Sequence, residues 1–141
     1  MGFGSAMEIC YHPKPLRQTK KAGKEEPLDS IELARAAVDV IADTQGLDIV
    51  MLDIRDISLL ADYFIICTAR VERQAQAIQE ELTQHLKAQG MNPLGVEGAA
   101  AGGWIVLDYG AVIVHIFTPA EREYYQLEAL WNEASVVMKM P

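Results

Sequence analysis

Apolar positions recur at helical spacing in two segments of the chain. The first begins at the capping residues Asp29-Ser30, runs to about Thr44 and is followed by Gly46. The second runs from Arg70 to Gln89, and Gly90 follows it as a C-terminal stop. The apolar positions are Ile31, Ala34, Val38 and Ile41 in the first segment and Val71, Ala75, Ile78, Leu82 and Leu86 in the second. The pattern predicts two amphipathic helices, each with one face directed at a core.

Continuous apolar runs, by contrast, predict strands that are covered on both faces. One run extends from Asp48 to Ile54, and a second extends from Tyr63 to Thr68. The glycine-rich segment from Met91 to Gly103 reads as a loop, with a short strand near Leu94 to Val96.

Two further apolar segments are separated by Tyr109-Gly110, where the glycine can adopt the positive φ of a tight hairpin turn. This reading pairs Asp108 with Ala111. One face then carries Ile105, Leu107, Val112, Val114 and Ile116 and belongs to the core, because strand side chains alternate. The other carries Trp104, Val106, Asp108, Ala111, Ile113 and His115, a mixed surface that is either covered by another element or used on a partner.

The last predicted element is a helix that begins at Thr118-Pro119 and extends through Trp131. The order of elements predicts an α+β fold: one domain with a mixed β-sheet packed with helices. We expect a flexible basic leader at 1–27, the folded domain at 28–132 and a C-terminal tail at 133–141. The residues before Met7 have the composition of an expression scar.

The charge distribution changes the expected partner. Five basic residues lie in the leader, whereas the chain from Leu28 onward has 17 acidic and 7 basic residues. A folded domain with about ten net negative charges repels the phosphates of nucleic acid, so a basic protein is the better partner. With no apolar run that could span a bilayer and no secretory signal, the sequence predicts a cytoplasmic protein without a membrane partner.

Candidate catalytic residues are few. Asp53, Asp62, Glu97 and Asp108 lie near strand ends or in a loop, where carboxylates can gather around a metal. Two-metal nucleotidyl transfer needs closely spaced carboxylates and a phosphate-binding loop. The sequence has neither an Asp-x-Asp pair nor such a loop after the first helix. We therefore expect strand-end caps or ion-pair partners, with no metal, no cofactor and no catalytic residue.

The remaining reactive side chains also favour structural roles. Cys67 lies in an apolar strand, where a free thiol usually packs. His115 lies between apolar neighbours, opposite Trp104 in the predicted register, which favours a hydrogen-bonded structural histidine. Tyr124 and Tyr125 are interpreted as packing and helix-surface residues.

Three ordered motifs give the chain a family resemblance. ADYFIICTA at 61–69, LGVEG at 94–98 and the hairpin GGWIVLDYGAVIVHIF at 102–117 together resemble the ribosomal silencing factor, or Iojap-like, family. The likeness covers roughly Leu28 to Trp131. One departure is Ala69-Arg70-Val71-Glu72, which replaces the family's capping sequence and should weaken the second helix start by roughly 1 kcal/mol.

The resemblance implies a fold like a nucleotidyltransferase core without its catalytic motif. It also implies a non-enzymatic repressor that binds the large ribosomal subunit at ribosomal protein L fourteen and blocks joining of the small subunit. The family's contact segment corresponds here to Trp104, Ile105, Leu107, Asp108 and Tyr109.

Several alternatives stay open at this point. Trp104 and Tyr109 are either interface anchors or simply core residues. The alternatives to a repressor are a ribosome-assembly factor that docks at the same place and a nucleotide-binding or nucleotidyltransferase enzyme. A homodimer away from the ribosome is a further alternative.

Overall fold

The computed structural model describes residues 29–141, so the predicted leader at 1–27 lies outside the described residues. Six strands and several helices follow one another in a single α+β domain, as predicted. In chain order they are α1 Ser30–Asp43, β1 Leu47–Asp53, β2 Tyr63–Thr68, α2 Glu72–Ala88, β3 Gly95–Ala99, a 3₁₀ turn Ala100–Gly102, β4 Trp104–Asp108, β5 Val112–Phe117, α3 Pro119–Tyr125, α4 Leu127–Leu130 and β6 Ser135–Met140.

The two long helices begin in different ways. Helix α1 has a capping box, in which the Asp29 side chain accepts from the Glu32 N–H and the Glu32 side chain accepts from the Asp29 N–H. Helix α2 has no side-chain cap at Val71, which agrees with the predicted loss of a capping residue. Val71 is also 57% exposed, so its predicted place on the apolar stripe was wrong.

The strands form one mixed sheet in the order β3-β4-β5-β2-β1-β6. The central pair β2–β5 is parallel, whereas the other neighbours are antiparallel. The short strand predicted at 94–96 is therefore β3, and it forms one edge of the sheet. Gly98 has φ of +82°, and a Cβ built there would lie 2.1 Å from the Trp104 carbonyl oxygen, so this close approach requires glycine.

The hairpin β4–β5 differs from its predicted register by two residues. Asp108 pairs with Ile113 rather than with Ala111, and the Tyr109 N–H donates to the Val112 carbonyl. The turn residues are consequently Gly110 and Ala111, with φ of +88° at Gly110. A shift of two residues keeps each side chain on its predicted face, because strand side chains alternate with a period of two.

Each face of the sheet has its own apolar core. Helices α1 and α2 cover one core, which includes Ile65, Cys67, Ile105, Leu107 and Tyr109. Burial raises the pKa of the Cys67 thiol to about 12, which suits a packed thiol. The opposite core includes Phe64, Ile66, Val106, Ile113 and Leu127, and residues of the C-terminal segment pack against it. The mixed hairpin face is therefore mostly covered by the chain itself.

The C-terminal third departs furthest from prediction. The predicted continuous helix is interrupted at Gln126, which adopts a left-handed conformation with φ of +46° between α3 and α4. Residues 133–141, predicted to be a tail, contain β6, which pairs antiparallel with β1. The expectation of a tail was wrong because the pairing partner of β6 lies more than 80 residues earlier, beyond the reach of a local pattern.

Candidate functional site

The five residues assigned to the contact segment do not share one surface. Ile105, Leu107 and Tyr109 point into the core under α1 and α2, and Asp108 is only 3% exposed. Trp104, at the start of β4, is the partly exposed member of the set. The alternative that Trp104 and Tyr109 are core residues therefore describes Tyr109 but not Trp104.

Tyr109 illustrates the difference. Its side chain is 6% exposed and packs in the core beneath α1 and α2. Burial raises the pKa of this phenol to about 12. The expectation that Tyr109 lies at the surface is not supported by this burial, and a structural role under α2 is the consistent reading.

Trp104 lies instead in a strip of aromatic rings that reaches the surface. Its ring stacks on Phe117 with centroids 4.9 Å apart, and Tyr125 of α3 lies 4.4 Å from it on centroids. Tyr124 continues the strip, edge-on to Tyr125 at 4.9 Å, and is 78% exposed. We call Trp104, Phe117, Tyr125 and Tyr124 the aromatic strip. The structure agrees with the interpretation of Tyr125 as a packing residue and Tyr124 as a helix-surface residue, but the contact between Tyr125 and Trp104 was not predicted, because it depends on how α3 folds back.

A buried histidine fixes the inner end of the strip. The Trp104 Nε1–H donates to His115 Nδ1 at 3.2 Å, and the His115 ring packs edge-on against Phe64. Burial lowers the pKa of His115 to about 3, so the ring is neutral at physiological pH and its Nδ1 is free to accept. The prediction of a hydrogen-bonded structural histidine is confirmed, although His115 lies opposite Val106 rather than Trp104.

The backbone places α3 directly beside Trp104. The Thr118 N–H donates to the Gly103 carbonyl, and a Cβ at Gly103 would lie 2.4 Å from Glu121 Cγ and 2.7 Å from Thr118 Oγ1. Gly103 also has φ of +82°. Only glycine allows the strand start and the helix start to approach this closely.

Two of the four candidate carboxylates, Asp53 and Asp108, have structural partners. Asp53 accepts two hydrogen bonds from the Arg55 guanidinium, at 3.0 and 2.8 Å, and these bonds lower the pKa of its carboxyl. Asp108 Oδ1 accepts from the Gly110 N–H at 2.8 Å and so supports the hairpin turn. Within residues 29–141, no group of three His, Cys, Asp or Glu side chains is arranged to hold a metal ion. Over the same residues, no helix is long and apolar enough to cross a membrane.

Comparisons with known proteins agree on one family. The family model "Ribosomal silencing factor during starvation" matches residues 27–141. A ribosomal silencing factor from Halalkalibacterium halodurans is 41% identical over 106 residues, which is 75% of this chain and 91% of the relative. A crystal structure of a protein from Chromobacterium violaceum has a TM-score of 0.72 and 33% identity, covering 79% of this chain and 94% of that one.

A more distant relative has a different name. The mouse protein "Mitochondrial assembly of ribosomal large subunit protein 1" is 29% identical over 98 residues. The match covers 67% of this chain and 43% of the mouse protein.

Proposed function

Because this chain belongs to the ribosomal silencing factor family, we propose that it represses translation by binding the large ribosomal subunit at ribosomal protein L fourteen. Occupation of that surface sterically blocks joining of the small subunit. The action requires binding alone, so the proposal includes no catalytic step and no cofactor.

The aromatic strip is the observation that carries the proposal. Trp104 and Tyr125 are partly exposed, and Tyr124 is almost fully exposed. Large aromatic side chains anchor many protein interfaces because they bury much area and have few rotatable bonds to order. In our proposal the strip touches the partner, while Ile105, Leu107, Asp108 and Tyr109 support it from inside the fold.

Charge supports a basic protein partner. The chain from Leu28 onward carries about ten net negative charges, from 17 acidic and 7 basic residues. Such a field attracts a basic ribosomal protein and repels exposed RNA. The rate of association with a basic partner should therefore fall as salt is added, because salt screens the attraction.

Sedimentation with isolated ribosomal subunits tests the proposal. The protein should pellet with large subunits, and saturating amounts should lower the formation of full ribosomes when small subunits are added. Tyr124→Ala removes the most exposed ring of the strip and should weaken binding by about 2 kcal/mol, roughly thirtyfold. Leu59→Ala is the matched control, since Leu59 is 92% exposed and lies outside the strip. Undisturbed subunit joining at saturating protein would refute the proposal.

A ribosome-assembly factor that docks at the same place is the second candidate. The name of the mouse relative favours it, because that protein is named for assembly of the large subunit. The two functions differ in the cell. Repression predicts normal large subunits in a strain lacking the protein, whereas assembly predicts an accumulation of large-subunit precursors.

The enzyme alternative has less support. Asp53, Glu97 and Asp108 lie on three different strands, and Asp53 and Asp108 have structural hydrogen bonds. Nucleotide binding would raise the melting temperature in ATP and Mg²⁺, because a ligand that binds the folded state stabilises it. We expect no shift, and a clear rise would reopen this alternative.

A further inference from the structure

Arg122 joins four separate parts of the chain. Its Nη1 donates to the Asp48 carbonyl and to Thr68 Oγ1, each at 2.8 Å. Its Nε and Nη2 donate to Glu128 Oε2 at 3.1 and 2.5 Å. Through one guanidinium, helix α3 is therefore connected to β1, to the end of β2 and to α4.

Besides Arg122, the Thr118–Gly103 hydrogen bond holds the start of helix α3 and the Tyr125 ring packs on Trp104. None of its residues is fully buried, and Tyr125 is only partly buried against the second core. The chain then turns through Gln126 in a left-handed conformation before Leu127 enters that core. A helix of seven residues with no fully buried side chain needs directional contacts, such as hydrogen bonds, to hold one orientation.

The chemistry of arginine suits this position. A guanidinium presents five N–H donors in a rigid plane, so it can bind acceptors on several sides at once. The Arg122 side chain is only 13% exposed, so water competes little for its N–H donors, whereas the Glu128 side chain is 35% exposed. A lysine would keep the charge, but it could not reach all three acceptors in the same geometry.

We propose that Arg122 is a positioning residue for the docking surface: its contacts with Asp48, Thr68 and Glu128 hold α3 so that Tyr125 lies beside Trp104 and Tyr124 lies beside Tyr125. Arg122 need not touch the partner. The inference rests on the proposed function for its effect on binding, whereas its effect on α3 is independent of the ribosome.

Hydrogen exchange and subunit binding test the two parts separately. Arg122→Lys and Arg122→Ala should speed exchange of the backbone amides of residues 120–126 by about tenfold or more, while the amides of β2 and β5 stay protected. Both variants should bind large subunits about tenfold less tightly. Arg55→Lys is the matched control, because Arg55 also pairs with a carboxylate but lies in the loop after β1. It should change neither measurement.

A double-mutant cycle separates positioning from general stabilisation. If Arg122 acts through the strip, Arg122→Ala should cost little further affinity once Tyr124→Ala is present, whereas the effects on unfolding should add. Unchanged exchange at 120–126 in both Arg122 variants would overturn the inference. Equal acceleration across β2 and β5 would also overturn it, because Arg122 would then stabilise the whole domain. If the unaltered protein does not bind large subunits, the proposed function fails, and hydrogen exchange alone decides the role of Arg122.

Discussion

Replacing Tyr109 by alanine should destabilise the fold much more than it weakens binding to the large subunit. The side chain is 6% exposed and packs in the core beneath α1 and α2. Emptying a buried aromatic site of this kind costs about 3–5 kcal/mol. A domain has a total stability of about 5–15 kcal/mol, so this loss is severe but leaves a folded population to measure.

Tyr109→Phe provides the matched control. It keeps the ring and removes only the buried hydroxyl, for which residues 29–141 offer no hydrogen-bond partner, so the free energy of unfolding should change by less than about 1 kcal/mol. Urea denaturation gives the free energy of unfolding for each variant, and sedimentation with large subunits gives the affinity of the folded protein. A Tyr109→Ala protein that keeps its stability within about 1 kcal/mol but binds roughly thirtyfold more weakly would refute this reasoning and return Tyr109 to the interface.

Three further predictions follow from other parts of the fold. Burial holds the pKa of His115 near 3, below the ordinary 6.5, so the unfolded chain binds a proton that the folded chain excludes. The free energy of unfolding should therefore fall as pH drops below about 6.5, by up to about 1.4 kcal/mol per pH unit. The urea midpoint of His115→Gln should fall less steeply over the same pH range. Gly98→Ala should lower the free energy of unfolding by at least about 1–2 kcal/mol in thermal or urea unfolding, because Gly98 has a positive φ and lies close to the Trp104 carbonyl. Gly95→Ala is the control and should cost much less, because a Cβ at Gly95 meets nothing within 4 Å. Ending the chain at Ala134 removes β6 with its two partly buried methionines and should cost about 2 kcal/mol or more by urea unfolding, whereas a true tail would cost nothing.

The sequence predicts correctly those helices and strands that are determined by residues close together in the chain. The capping residue Asp29 and the apolar spacing of α1 identify that helix, and the apolar run from Tyr63 to Thr68 gives the bounds of β2. The predicted faces of the hairpin were also correct, because side chains alternate between the two faces and a register shift of two residues leaves each on the same face. The register itself was not, since either turn places Gly110 within a two-residue loop.

The site was harder to predict because it depends on long-range packing. Trp104 and Tyr125 are 21 positions apart, and their rings meet because the chain folds α3 back beside the start of β4. Tyr109 looks like an interface residue in the sequence, but α2 covers it. The contacts of Arg122 with Asp48 and Thr68 bridge 74 and 54 positions, and no spacing rule reveals them.

The pairing of β1 with β6 has a consequence for how the domain is made. Strand β1 ends at Asp53 and its outer partner begins at Ser135, so roughly 80 residues must be synthesised between them. At about 5–20 residues per second, translation leaves the outer edge of β1 without its partner for roughly 4–16 s. An unpaired strand edge is a template for pairing with another chain. During each round of its own synthesis, this domain therefore passes through a stage in which β1 is available to the wrong partner, and β6 ends that exposure.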